Sequence, residues 1–180
     1  MNCNAADPGP PASPAAGRVL VVGYGNTLRG DDAFGPVVAD RLRQIVDSDR
    51  VHVLSRHQLT PELAEDIAVC DRVIFIDASR ASPAGELVCR PLDAGESGAA
   101  ALVHTVGPDQ LLALARLVYG RAPPATLVTV GGQSFELGDR LLSPPVATAV
   151  ELAVECLRER IDAGSAIRAS EILAACQRDR

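Results

Sequence analysis

The chain of 180 residues contains no lysine; its 17 basic residues are all arginine. That absence excludes a Walker-type phosphate loop, which needs the lysine of its motif, and it excludes Schiff-base and pyridoxal chemistry, which need a side-chain amine. Aromatic residues make up only 3% of the chain, tryptophan is missing, and the formal charge is −6 with no basic run. A nucleic-acid partner needs a basic face and stacking rings, so none is expected. No apolar stretch approaches the roughly 20 residues needed to cross a bilayer, so no membrane partner is expected. Cysteine is present but unpatterned. Cys3, Cys70, Cys89, Cys156 and Cys176 are odd in number and lack a Cys-x-x-Cys pair, which argues against a disulfide framework or a zinc ribbon. Each reads as a small buried or tolerated surface thiol. The segment Met1–Gly17, rich in proline and alanine, has neither a basic cluster nor an apolar h-region. It reads as a disordered lead-in rather than a signal peptide, and a cytoplasmic protein is expected.

What is present is 47% hydrophobic residues, enough for one compact α/β domain over 18–162, with a tail over 163–180. Short β-branched runs alternate with helical patterns, and no internal repeat is visible. Strands are expected at Arg18–Gly23, Val51–Leu54, Arg72–Asp77, Glu86–Arg90 and Thr126–Val130. A helix from about Asp32 to Val46 should bury Val37, Val38, Leu42, Ile45 and Val46. Thr60 reads as the N-cap of a second helix ending near Cys70, with Pro61 at its first position and Glu62 facing the helix dipole. A third helix spans Pro108–Tyr119. Ser143-Pro144 opens a fourth that runs to about Ile161, again with a hydroxyl cap. Ala78–Gly85 is too short for a parallel crossover, so the fourth strand should run antiparallel to the others.

The most informative segment is Gly23-Tyr24-Gly25-Asn26-Thr27-Leu28-Arg29-Gly30-Asp31-Asp32-Ala33-Phe34-Gly35. It follows the first strand, at the sheet edge where α/β proteins place their ligands. A dinucleotide fingerprint would need a third glycine where Leu28 stands, and the two acids at the helix mouth would repel a pyrophosphate and attract a cation. Few other polar residues can reach that edge: Asp77 closes the third strand and His104 precedes the third helix. Two carboxylates and an imidazole suit a borderline divalent ion such as nickel or zinc. Alternatively, Asp31 or Asp32 caps the first helix, Asp77 is solvated, and His104 is an ordinary surface or core histidine. His52 and His57 read as solvated or packing residues, with His57 near enough to the edge to shape substrate binding. Arg29 either pairs with the acids or meets the substrate's carboxyl end. Gly132-Gln133-Ser134-Phe135 resembles a nucleophile elbow, but Glu136 stands where its second glycine belongs, which disfavours a serine-type hydrolase.

The same opening segment closely resembles the leading motif of the nickel–iron hydrogenase maturation proteases: Gly-x-Gly-Asn, a short apolar stretch, then two acids and a glycine. The likeness continues through Gln58-Leu59-Thr60-Pro61-Glu62-Leu63, a third strand ending at Asp77, His104-Thr105-Val106-Gly107, and Ser134-Phe135-Glu136-Leu137-Gly138 followed by Leu142-Ser143-Pro144. It covers nearly everything from Gly17 to about Arg160. The resemblance implies a three-layer α/β/α domain around a five-stranded mixed sheet with one antiparallel strand. It implies an endopeptidase that removes the C-terminal extension of a hydrogenase large-subunit precursor after nickel insertion. The nickel is then supplied by the precursor, and Asp32, Asp77 and His104 are its ligands. Asp31 is expected to orient the attacking water or to accept its proton. Asp32 stands where glutamate is common and Ala33 where glycine is common; a slip of the histidine segment would set Asp109 in competition with His104. A monomer is expected, and a non-catalytic chaperone for the precursor is the other reading of the same fold.

Overall fold

Val19, Leu20, Val21 and Val22 are apolar in succession and buried on both faces, so strand β1 (Val19–Tyr24) forms in the interior of a sheet. The computed structural model describes residues 17–47, 49–93, 106–139 and 141–163. Within them, α1 (Phe34–Arg43), β2 (Val51–Arg56), α2 (Leu63–Ala68) and β3 (Arg72–Ser79) follow in order, then β4 (Leu87–Leu92), α3 (Pro108–Tyr119), β5 (Ala125–Gly131) and α4 (Pro144–Asp162). A short 3-10 helix, Gly30–Ala33, leads into α1. The five strands are ordered β2-β1-β3-β5-β4. β1 pairs in parallel with β2 and β3, β3 in parallel with β5, and β4 antiparallel with β5. The antiparallel strand is the one that the short connection requires.

Alternate residues of each strand face opposite layers. Val21, Ile74, Ile76, Val128 and Val130 meet the buried faces of α1 and α4. Leu20, Val22, Val73, Phe75 and Leu127 meet those of α2 and α3. The result is a three-layer α/β/α fold. Cys70, Cys89 and Cys156 are free thiols buried in these layers, whereas Cys3 and Cys176 lie outside the described residues. The expected lead-in and tail also lie outside them, apart from Gly17 and Ala163. Among the described residues no helix is long and apolar enough to cross a membrane.

The structure corrects some local expectations. α1 ends at Arg43, so Ile45, expected on its buried face, is 50% exposed. α2 begins at Leu63 rather than Pro61: Thr60 does not cap it by its hydroxyl but accepts the Leu63 N–H at its carbonyl. Ser143 does precede α4, yet its hydroxyl makes no cap bond; it is committed to Asp31 instead.

From β1 the chain passes to β2 on one side and then to β3 on the other, so the strand order reverses between β1 and β3. Open α/β sheets bind ligands beyond the carboxyl ends of the strands at such a point. Here the start of α1 is pressed onto the sheet. A Cβ at Gly23 would lie 2.0 Å from the Gly35 carbonyl oxygen and 2.7 Å from the Ala39 Cβ, and one at Gly35 would lie 2.4 Å from the Ile76 carbonyl oxygen. This backbone-on-backbone contact brings the Asp31-Asp32 turn against the end of β3. Gly23→Ala should therefore cost about 1–3 kcal/mol, the usual penalty of overpacking, seen as a lower urea midpoint at unchanged m-value; an unchanged midpoint would mean that α1 is free to lift.

Candidate active site

The turn after β1 is shaped by its own backbone. Gly25 has φ +144, and a Cβ there would lie 2.0 Å from the Asp32 carbonyl oxygen, so no larger residue fits. Asn26 follows, its side-chain oxygen accepting the Leu28 N–H at 2.9 Å in an Asx-turn. Its own N–H donates to Asp32 Oδ2 at 2.9 Å. The two adjacent acids then leave the 3-10 helix in different directions and meet different surroundings.

Asp31 is fully buried. Its Oδ2 accepts the N–H groups of Gln133 at 2.6 Å and Ser134 at 2.9 Å and the Ser143 hydroxyl at 2.9 Å, while Oδ1 accepts the Ser143 N–H at 2.7 Å. Burial alone would raise its pKa. The donors from Ser134, Ser143 and Gln133 outweigh that effect and hold the carboxyl below its ordinary range. A carboxylate so engaged has little capacity to orient water or accept a proton, and Asp31 does not line the cleft described next. What these bonds do is position the Gln133-Ser134 and Ser143 backbone against the turn that presents Asp32.

Asp32 is half-buried and has the single backbone donor of Asn26, which leaves lone pairs available. It lines a cleft of about 580 Å³ at the β1/β3 switch point, together with Tyr24, Arg29, His57, Asp77 and Arg80. Asp77 Oδ1 accepts the Ala78 N–H at 2.8 Å, and its carboxylate also accepts a hydrogen bond from the Tyr24 phenol. Burial pushes the Asp77 carboxyl up to about 6; the bonds from Tyr24 and Ala78 oppose that rise, and the negative charge of Asp32 adds to it. Tyr24 is pushed up in turn, by burial first and then by the charge of Asp77. Asp32 and Asp77, distant in sequence, thus share one cleft and sense each other's charge.

His104 lies outside the described residues. The described chain resumes at Val106, which lines the cleft. Among the described residues no group of three His, Cys, Asp or Glu side chains is placed to hold a metal ion, so His57, although in the cleft, does not complete a triad with the two acids. His52 is exposed on β2 and does not line the cleft. Asp109, in the first turn of α3, does not line it either, although its charge raises the Tyr24 pKa. Sequence reasoning missed Tyr24, Arg80 and Phe135. The first was visible as a phenol at the carboxyl end of an apolar strand; the other two carry no such signal. Ser134 donates its hydroxyl to Asp139 Oδ2 at 3.0 Å, not to a histidine, and does not line the cleft. Among the described residues no histidine is hydrogen-bonded to Ser134.

No family model and no curated protein matches the sequence. Solved structures do. HybD, the hydrogenase maturating endopeptidase of E. coli, superposes with a TM-score of 0.65 at 29% identity over 82% of this chain and 94% of its own. HycI, a [NiFe] hydrogenase maturation protease from Thermococcus kodakarensis, gives 0.66 at 25% identity, covering 81% and 92%. A hydrogenase 2 maturation peptidase from a Thaumarchaeota archaeon gives 0.61 at 31% identity, covering 81% of this chain and 98% of its own. The chain belongs to the hydrogenase maturation protease family. It is accordingly a peptide hydrolase, and the acid-lined cleft is where this family member's chemistry is to be sought.

Opposite pKa shifts give buried Asp31 and half-buried Asp77 opposite effects on stability. The pKa of Asp31 is depressed by folding, so its contribution is present above the ordinary carboxylate value of roughly 3.9 and is lost as pH falls through the folded value. Asp31→Asn should remove about 2–4 kcal/mol at pH 7, since the amide turns a donor toward donors, and should flatten the acid limb of the stability curve. Asp77, raised to about 6, stabilises the fold below the unfolded value and loses that contribution as pH rises through 6. Asp77→Asn should thus raise stability at pH 7 by about 1–3 kcal/mol and leave it unchanged at pH 3. Urea titrations of each variant at both pH values check this; equal loss from both substitutions at pH 7 would contradict the assignment.

Proposed function

We propose that the protein is the endopeptidase that removes the C-terminal extension of a nickel–iron hydrogenase large-subunit precursor once nickel has been inserted. The observation that carries this reading is the placement of Asp32 and Asp77 in one cleft at the sheet's switch point, each with oxygen lone pairs uncommitted. Nickel belongs to the precursor and is part of the substrate. Two carboxylates suit a divalent cation, and one imidazole makes the set suitable for a borderline ion. His104, assigned by its motif, supplies that imidazole.

Asp32, Asp77 and His104 complete the coordination of the precursor's nickel and so hold the scissile peptide beside it. A cation there supplies Lewis-acid polarisation of a carbonyl or a bound water of lowered pKa. The chain's own work is placement. Asn26 and the Gly25 turn aim Asp32, Tyr24 aims Asp77, and the partly buried position of Asp77 strengthens its interaction with an incoming positive charge. A precursor without nickel offers no cation to this acid pair, which therefore favours completed over incomplete substrate.

Asp32→Ala, Asp77→Ala and His104→Ala, each incubated with nickel-loaded precursor, should lose processing by about two orders of magnitude or more, measured as the mass of the large subunit. Cleavage at the wild-type rate by all three would refute the assignment. Precursor that the wild-type protein binds without shortening would favour the chaperone reading instead.

A further inference from the structure

The cleft holds two cations that its acids do not neutralise. Arg29 leaves the turn after β1, and Arg80 follows the end of β3; both are exposed, and both line the cleft that contains Asp32 and Asp77. Among the described residues neither arginine makes an ion pair, whereas Arg41, Arg43, Arg121 and Arg158 each have a carboxylate partner within 4.0 Å. Arg18, Arg50, Arg56 and Arg90 also lack an ion pair among the described residues; what distinguishes Arg29 and Arg80 is that both line the cleft. Arg80 is also held in place. Its guanidinium lies 4.1 Å from the centre of the Phe135 ring, a cation–π contact that orients the group and does not itself consume its N–H donors. Phe135 follows directly on the two residues that Asp31 fixes by their N–H groups, so the platform under Arg80 is tied to the same turn that presents Asp32.

We infer that Arg29 and Arg80 form a carboxylate-binding rim over the acid pair, which selects precursors whose C-terminal extension presents an anionic group close to the scissile bond. This rests on the function proposed above and specifies its substrate. The cleft is then electrically divided, with a floor that attracts a cation and a rim that attracts an anion. A peptide carrying both is bound in one register, whereas a peptide with the charges reversed in order meets repulsion at each end. Planar guanidinium groups suit carboxylates through paired N–H donors, and a cleft of about 580 Å³ holds a short stretch of peptide rather than a folded body. The carboxylate is an acidic side chain of the extension or its terminal carboxyl group, and both present the same chemistry.

The test is steady-state processing of nickel-loaded precursor by full-length protein carrying Arg29→Gln, Arg80→Gln or both, with Arg29→Lys and Arg80→Lys as charge-preserving counterparts. The double glutamine variant should raise KM about tenfold with kcat changed less than about twofold, as expected when two exposed ion pairs are lost. The lysine variants should recover most of that loss. Added salt should raise KM for the wild type and barely change it for the double variant. Precursors with the extension's acidic side chains changed to amides, or with its terminal carboxyl moved outward by two added glycines, separate the two sources: whichever change reproduces the tenfold rise identifies the group. Unchanged KM in a double variant that retains the wild-type circular dichroism would overturn the rim while leaving the proposed function standing. A wild-type protein that leaves the precursor uncut would overturn both.

Discussion

Asp31 lies between the turn after β1 and the segment after β5, and its carboxylate accepts bonds from Gln133, Ser134 and Ser143 with no exposure to water. Three backbone N–H groups that a surface loop would leave to solvent are satisfied by one anion. The reverse also holds: a buried carboxylate without those donors would be strongly destabilising. The two requirements define each other, so the loop cannot move without stranding the charge. Further backbone bonds run the same way, from Gly30 N–H to the Asp139 carbonyl and from Asp31 N–H to that of Ser134. The start of α4, the Phe135 ring and the mouth of β1 are thereby fixed as one unit, and the cleft wall is built from it.

Asp32 shows what that fixation makes possible. Two neighbouring residues of identical chemistry differ in function because one is saturated and the other is not. A carboxylate offers about four acceptor positions; Asp31 uses them on four donors, whereas among the described residues Asp32 receives the Asn26 N–H alone. Asp77 lies between these extremes, with Tyr24 and Ala78 as partners and burial working against its charge. Holding Asp32 and Asp77 close together in a partly dry cleft is unfavourable for folding and favourable for meeting a cation. The surrounding core stabilises the fold enough to tolerate it.

Much of this architecture is legible in the sequence because it follows from local rules. Alternating β and helical patterns give the layers, a connection too short to cross over gives the antiparallel β4, and an apolar strand ending in an acid gives Asp77 at the sheet edge. The illegible parts depend on partners remote in sequence. Nothing near Ser143 says that its hydroxyl will turn to Asp31 rather than to its own helix, because cap propensity describes only the local alternative. Nothing near Asp31 says that its donors lie more than 100 residues on. The exposure of Ile45 has a simpler origin: the helical pattern continues in sequence, but the helix itself ends at Arg43. Arg80 and Phe135 come together only because β3 and the segment after β5 leave the sheet side by side, a consequence of the β3–β5 pairing.

The same sheet order explains why the charges of the cleft are arranged as they are. β1 and β3 are adjacent and parallel, so their carboxyl ends emerge together. Each turn brings one acid and one arginine to the gap, Asp32 with Arg29 and Asp77 with Arg80. Each acid is held by bonds from the strand ends, Asp32 by the Asn26 N–H just after β1, and Asp77 by the Ala78 N–H of its own strand and by Tyr24 at the end of β1. Arginine, with a longer and exposed side chain, remains at the mouth, where Arg80 rests on the Phe135 ring. If the acids were not held by backbone and phenol donors, the arginines would pair with them, and the cleft would present a neutral surface to both cation and carboxylate. Separation of charge in this site is therefore maintained by hydrogen bonds at the floor; the bond to Asp32 comes from a backbone N–H and that to Asp77 from the Tyr24 phenol, so Tyr24 is the place to disrupt it without removing a charge.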